Sequence, residues 1–256
     1  MTSLYDTVIF GPVHSRRLGL SLGINLLPVD QKLCSFNCIY CECGWTRGGA
    51  APRFNPREEV LRRLETKLSE MIAEGTPPDV VTFAGNGEPT LHPEFEQIVD
   101  EVIALRDRMC PIAKISVLSN STRLDDPSVR RALQKVDNPI MKLDSAFDST
   151  VRLIDNPFGE YSVEHVAANI KLLGPRCIVQ TMFLRGNYKG AMVDNTTERE
   201  VEAWLKMIAD IAPRKVMVYT IDRDTPAPDL VKVSVEELRR IAARVEALGI
   251  ECSVAG

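Results

Sequence analysis

No stretch of this 256-residue chain approaches the roughly 20 consecutive apolar residues of a membrane-spanning helix, so no membrane partner is expected. No internal repeat, Gly/Ser-rich linker or low-complexity tract divides it, and a single domain over residues 1–256 is the simplest organisation. Basic residues do not predominate. The 31 Lys and Arg stand against 35 Asp and Glu, a formal net charge of −4, which is unlike a nucleic-acid-binding surface and argues against nucleic acid as a partner. A disulfide framework is missing too: the cysteines number seven, and Cys110, Cys177 and Cys252 are scattered singly in apolar surroundings as small buried hydrophobes would be. Such usage fits a reducing, cytoplasmic location. Histidine is scarce. His92, in Leu91-His92-Pro93, reads as a helix-start residue, His165 falls in a helical pattern, and neither they nor His14 enter the candidate site.

What remains is an ordinary globular composition, 45% hydrophobic, enough to bury one sizeable core. Ser15-Arg16-Arg17 followed by the apolar run from Leu18 to Leu27 has the look of a twin-arginine signal. The run is short, is interrupted by Asn25, and leads to no small-residue cleavage site; cutting there would also strip the leader from the cysteine loop that follows. A buried first strand explains the same letters.

The most informative segment is Leu33-Cys34-Ser35-Phe36-Asn37-Cys38-Ile39-Tyr40-Cys41. Three cysteines spaced by three and then two residues suit a 4Fe-4S cluster with three of its irons held by the protein and the fourth left open for chemistry. The alternative is a zinc knot or a set of free thiols. Zinc wants four ligands in paired spacings, and the nearby fourth candidate, Cys43, stands two residues past Cys41, too tight for an ordinary zinc arm. Cys43 reads as a free thiol beside the loop.

Along the chain, short β-branched or apolar runs alternate with helix-period segments. Strands are expected over 22–27, 80–84, 115–118, 140–143, 178–184 and 216–221, each reading as a parallel strand buried on both faces. Helices are expected over 56–73, 93–108, 127–135, 163–173, 197–211 and 235–248, with start signals at Asn55-Pro56, at Asp126-Pro127, and at Ser234 with Glu237 three residues on. Gly75, Gly174 and Gly249 fall where helices should stop. Six βα units in series predict an α/β fold, a partial (β/α)6 TIM-like barrel of parallel strands with helices outside. An N-terminal extension and first strand occupy about 1–33, the cysteine loop 34–55, and βα units the rest, with 251–254 closing or padding an edge.

In such a barrel the site belongs at the C-terminal strand ends, where the cysteine loop follows the first strand. Gly85-Asn86-Gly87-Glu88-Pro89 follows the second, Ser119-Asn120-Ser121-Thr122 the third, Lys142-Leu143-Asp144-Ser145 the fourth, and Tyr219-Thr220-Ile221-Asp222-Arg223 the sixth. Glycines at 85 and 87 are expected to let the backbone approach a ligand, with carbonyls and Glu88 accepting hydrogen bonds. A helix-capping turn is the competing reading for this loop and for Ser119 and Ser121. Arg16 and Arg17 read as surface or ion-paired residues, an anion site being the sharper alternative. The loop 185–195, with Tyr188, Lys189 and Asp194, is the expected seat of substrate choice together with 222–229.

These motifs together resemble the radical S-adenosylmethionine (radical SAM) superfamily, whose signature is C-x-x-x-C-x-aromatic-C, here with Tyr40 as the aromatic. The opening from Gly11 to Asn25, the Gly85 to Pro93 segment and Tyr219 to Arg223 are similar to a group of small iron-sulfur oxidoreductases related to wybutosine-biosynthesis proteins. The resemblance implies metal ligation by Cys34, Cys38 and Cys41. It also implies SAM contacts from Tyr40, Gly85, Asn86, Gly87 and Glu88 around the methionine moiety. Ser119, Asn120, Lys142 and Asp144 would serve its carboxylate and ribose, and Tyr219 and Ile221 the adenine. It implies reductive cleavage of SAM to a 5'-deoxyadenosyl radical that takes hydrogen from a small-molecule or peptide substrate, with an electron donor such as flavodoxin or ferredoxin. Activation of a partner protein and tRNA-base modification are other reactions this family would allow, although the chain lacks the basic extensions expected for tRNA. A non-enzymatic zinc or iron-sulfur module is the alternative from outside the family.

Overall fold

The computed structural model describes residues 4–15, 17–46 and 53–256. Its strands are β1 (Ile9–Ser15), β2 (Gly19–Ile24), β3 (Val80–Phe83), β4 (Lys114–Ser119), β5 (Asn138–Lys142), β6 (Ile178–Met182), β7 (Leu184–Tyr188), β8 (Ala191–Asp194), β9 (Lys215–Tyr219), β10 (Leu230–Lys232) and β11 (Glu251–Ala255). Its α-helices are α1 (Arg57–Ala73), α2 (Phe95–Met109), α3 (Pro127–Lys135), α4 (Asp148–Ile154), α5 (Val163–Lys171), α6 (Glu198–Ile211) and α7 (Val235–Glu246).

Local chemistry explains most helix boundaries. Asp126, Ser162, Thr197 and Ser234 each accept a backbone N–H of the first turn through the side chain, satisfying donors that have no intrahelical partner. Gly75 and Gly249 lie just beyond α1 and α7 at φ of +72° and +78°, the left-handed conformation that ends a helix at least cost in a residue without Cβ.

Eight strands form one sheet in the order β1-β2-β3-β4-β5-β6-β9-β11; every pairing is parallel except β1 with β2. It is a curled half-barrel with helices on its convex side. Alternation decides which residues go where. Leu22, Ile24, Val81, Phe83, Ile115, Val117, Val179, Val216 and Val218 join the main core with Leu64, Val99, Trp204 and Ile241 of the helices. Their alternate neighbours face the concave side, where Ser21 meets Thr82 at 2.8 Å, Asn138 meets Ser116 at 3.0 Å, and Ile140, Ile178 and Met217 form a small apolar patch.

Three features depart from the sequence expectation. β1 adds an antiparallel edge strand, and the turn after it folds under the concave face: Leu18 packs on Ile140, Ile178 and Met217, while Arg17 donates from Nη1 to Gln180 Oε1 at 2.9 Å with its guanidinium 4.5 Å from the centre of the Tyr219 ring. Arg17 is thus neither a surface residue nor ion-paired among the described residues, and Arg16 lies outside them. Second, 185–195 is not a loop but the hairpin β7-β8, which β10 extends into a separate three-stranded sheet. Third, the short helix α4 adds to the expected set; no side chain caps its start, and it buries Val151 and Ile154. β11 pads the far edge beside β9, and no described helix is long and apolar enough to cross a membrane.

Candidate functional site

The cysteine loop leaves β2 and crosses the C-terminal strand ends. Leu33 pairs with Gly87 in a single parallel bridge, Phe36 with Pro157, and Ile39 N–H donates to Ile154 O at 2.9 Å, so the loop is tied to the ends of β3 and α4. Phe36, Ile39, Ile154, Met182, Leu184 and Val193 form an apolar shell beside Cys34, Cys38 and Cys41. Burial pushes the Cys34 thiol up to about 12 and that of Cys38 well above its ordinary value. Cys41 goes the other way, to about 6, because the Cys43 thiol hydrogen-bonds its sulfur and Lys32 lies close. Cys43 itself donates to Gly85 O at 3.3 Å, a half-buried thiol beside the loop. Among the described residues no three His, Cys, Asp or Glu side chains converge as ligands of one metal ion would.

The glycine-rich loop after β3 is shaped by the protein's own backbone. A Cβ on Gly87 would sit 1.8 Å from Leu33 O, and one on Gly85 2.6 Å from Asn25 Oδ1. On the Cβ side these glycines make room for the protein's own chain, the segment between β2 and the cysteine loop. Asn86 is used up as well. Its Nδ2 donates to Tyr5 O and Pro28 O, both at 2.8 Å, and its Oδ1 accepts from Tyr5 N–H at 2.8 Å. Glu88 is buried, and its carboxylate accepts from Thr90 N–H (3.1 Å), Thr90 Oγ1 (2.5 Å), Ser119 Oγ (2.9 Å) and Asn120 N–H (2.6 Å). Three of these bonds reach Oε1 and one reaches Oε2, so Glu88 joins the ends of β3 and β4 and keeps an acceptor position on Oε2. Burial raises its pKa against the pull of these bonds.

From β4, Asn120 reaches the cysteine loop directly, with Nδ2 2.8 Å from Ser35 Oγ and 3.5 Å from Cys34 Sγ. At the end of β5, Lys142 Nζ lies 2.5 Å from Asp144 Oδ2 and 3.1 Å from Asp155 Oδ1, and 4.5 Å from the centre of the Tyr40 ring. Tyr40 Oη donates to the same Asp144 oxygen at 2.5 Å, and Asp144 Oδ1 accepts from Met182 N–H at 3.0 Å. Burial works against the Lys142 charge, yet the two carboxylates outweigh it and hold the ammonium well above its ordinary range. Asp155, absent from the sequence reading, is raised to about 7 by burial. Tyr219 closes this group, its phenol raised by burial, and Ile221 packs on the apolar shell.

A cavity of about 920 Å³ opens between the residues before and after the cysteine loop and the segment after β9; Lys32, Cys43, Trp45, Ile221 and Arg223 lie in its wall. Arg223 reaches Glu42 at 2.8 Å, and Trp45 stacks on Tyr188 of β7 at 6.0 Å. Within the hairpin, Arg185 is taken by Glu237 and Asp194, and Asn195 by Asp144 O and Met182 O. Lys32 escaped the sequence reading entirely. A lysine two residues before a cysteine carries no signal until the fold shows it buried. His92 is a helix-start residue as expected, its Nδ1 accepting Glu94 N–H at 3.1 Å.

The sequence pattern of the Radical SAM superfamily matches residues 29–187, a span holding the three cysteines, the glycine loop and the ends of β4 and β5. The chain belongs to the radical SAM superfamily. Two relatives in sequence are UPF0026 proteins. That of Synechocystis is 31% identical over 225 residues, covering 85% of this chain and 77% of the relative, and that of Helicobacter pylori 30% identical over 254 residues, covering 94% and 74%. Among solved structures, a radical SAM methyltransferase from Sphaerobacter thermophilus superposes with a TM-score of 0.69 at 17% identity over 92% of this chain, which spans 65% of that protein, just under two thirds. TYW1 with a lysine-pyruvate adduct bound gives a TM-score of 0.62 at 14% identity, covering 89% of this chain and 73% of that one. Streptococcus suis SuiB bound to precursor peptide SuiA gives 0.64 at 14%, covering 91% and 48%. At such identities the likeness is one of fold, the half-barrel.

Proposed function

We propose that this radical SAM protein is an enzyme in which Cys34, Cys38 and Cys41 hold a 4Fe-4S cluster that acts on bound SAM. The observation that carries the reading is the placement of three cysteines of one loop, Cys38 buried and Cys34 and Cys41 half-buried, over the strand ends, all close to Lys32, with Cys34 beside Asn120 and Cys38 beside Lys142. When bound, the cluster and SAM supply one-electron chemistry that abstracts hydrogen from a substrate. The protein's part is to bind, orient and shield. Phe36, Ile39, Ile154 and Met182 keep water from the thiols. Asn120 Nδ2 steadies the Cys34 sulfur, a hydrogen bond of the kind that sets cluster potential.

The ammonium of SAM would be met by carbonyls of the 85–88 loop and by the remaining acceptor position of Glu88 Oε2. Asp144, with Tyr40 and Lys142 holding it in place, would serve the ribose, and the 219–221 backbone the adenine. The cavity beside Trp45 and Arg223, within the 300–1,000 Å³ range of ligand sites, is the candidate seat of a small-molecule or peptide substrate. A flavodoxin- or ferredoxin-like protein would deliver the electron. Anaerobic reconstitution with iron and sulfide, followed by SAM and dithionite, tests the proposal: brown protein that releases 5'-deoxyadenosine supports it, and protein that takes up only zinc, or iron without cleaving SAM, refutes it.

A further inference from the structure

Lys32 is 4% exposed, yet it is not paired as buried lysines usually are. Its Nζ donates to Gly44 O at 2.8 Å, and Gly44 N–H in turn donates to Cys41 O at 2.9 Å, so the ammonium is pinned on the turn that follows the third cysteine. It also hydrogen-bonds the Cys41 sulfur, and the thiols of Cys41, Cys38 and Cys34 are the charged-state partners that dominate its surroundings. No carboxylate lies within ion-pair distance of it among the described residues. The other buried cation of the site, Lys142, has two, Asp144 and Asp155. Its own chain explains why Lys32 stays put: Leu33 N–H donates to Asn86 O at 2.8 Å and Glu88 N–H donates to Leu33 O at 3.1 Å, on either side of the Leu33–Gly87 bridge, and the Gly44 turn closes over the far side.

A buried cation without a carboxylate is costly unless an anion shares its site. Three thiolates around an iron-sulfur core are that anion, and one more electron makes them more negative. We infer that Lys32 is a positioning residue that sets the reduction potential of the cluster, its fixed ammonium favouring the reduced over the oxidised core. The inference rests on the proposed ligation by Cys34, Cys38 and Cys41. The step it governs is a one-electron reduction in which no bond is made or broken and the electron comes from an external reductant, dithionite in the test.

The experiment compares wild-type protein, Lys32→Met and Lys32→Arg, each reconstituted anaerobically. Iron and sulfide content comes first: a wild type that binds no cluster sinks the ligation, and with it this inference. Midpoint potentials from an EPR-monitored titration then decide the role of Lys32 alone. Lys32→Met should disfavour reduction at least tenfold, a negative shift of about 59 mV or more for one electron, while Lys32→Arg stays nearer to wild type than to Lys32→Met. Equal potentials in wild type and Lys32→Met, or an equal shift in both variants, overturn the inference. A folded Lys32→Met, checked by circular dichroism, that retains no iron also overturns it, because Lys32 would then serve assembly rather than potential.

Discussion

Two buried lysines lie on opposite sides of the cysteine loop and are treated in opposite ways. Lys142, at the end of β5, sits between Asp144 and Asp155 under the Tyr40 ring, a charge group complete without any ligand. Lys32, before the first cysteine, has a backbone carbonyl and three thiols. The first arrangement is bought with two ionisable groups and is part of the apo fold; the second becomes favourable only when the thiols are ionised around a metal core. A fold thus distinguishes what it needs to stand from what it holds ready for a cofactor by where it places the counter-charge.

The comparison breaks outright if the thiols are not cluster ligands. Cys34→Ala, Cys38→Ala or Cys41→Ala should each abolish iron retention and SAM cleavage, measured by iron content and 5'-deoxyadenosine release, since two thiolates cannot hold a cluster with one open iron. Cys43→Ser should keep both, because the Cys43 thiol hydrogen-bonds Gly85 O and the Cys41 sulfur and a serine hydroxyl can make the same bonds.

In the metal-free protein the two lysines should part company. Lys142→Met leaves two carboxylates buried without a counter-charge and should cost about 3–5 kcal/mol in urea unfolding. Lys32→Met removes a buried charge whose partners are a backbone carbonyl and the Cys41 sulfur, strands no carboxylate, and should cost less than Lys142→Met, about 1–2 kcal/mol. Equal losses would erase the distinction.

A smaller effect belongs to Glu88. Gln has one acceptor oxygen, so Glu88→Gln would set an NH₂ group against the Asn120 N–H or the Thr90 and Ser119 hydroxyl donors. It should lower folding stability by roughly 1–3 kcal/mol, read by the same unfolding measurement. Intact stability with weakened SAM binding would make the ligand contact its main role.

The smallest effect sits at the opposite end of the sheet, where Arg106 meets Asp137 at 2.9 Å with solvent nearby. Burial alone would raise the Asp137 pKa, but the Ile115 N–H and Arg106 hold it below its ordinary value. The stability this carboxylate contributes is therefore present above the unfolded value, near 4, and lost as pH falls through the lower folded one. Asp137→Asn should flatten the unfolding profile below pH 4 and leave it unchanged at pH 7 in relative slope.

Much of the architecture is legible in the chain because its signals are short-range. Alternating apolar runs and 3.6-residue periods mark all six βα units, side-chain caps such as Ser234 mark helix starts, and the cysteine spacing needs no fold to be read. The hairpin at 184–194 was not legible: its strands carry the polar Arg185, Asn187 and Asp194, and β7 gains its second neighbour only from β10, whose residues Leu230–Lys232 pair with Gly186 to Leu184. Gly85, Gly87, Asn86 and Glu88 were legible as a motif but not in their use, since their partners Asn25, Leu33, Tyr5 and Asn120 lie 32 to 81 residues away.

The order of elements, the strand-end position of the cysteine loop and its ligand spacing were determined by the sequence itself, through interactions spanning a few residues. Which buried charge meets which partner was decided by tertiary structure alone. The end of α4 brings Asp155 to Lys142, the Leu33–Gly87 bridge brings Lys32 to the thiols, and the turn after β1 carries Arg17 beneath Tyr219. Such pairings depend on Coulomb and desolvation energies that change steeply over a few ångströms, a scale that linear spacing along a chain does not encode.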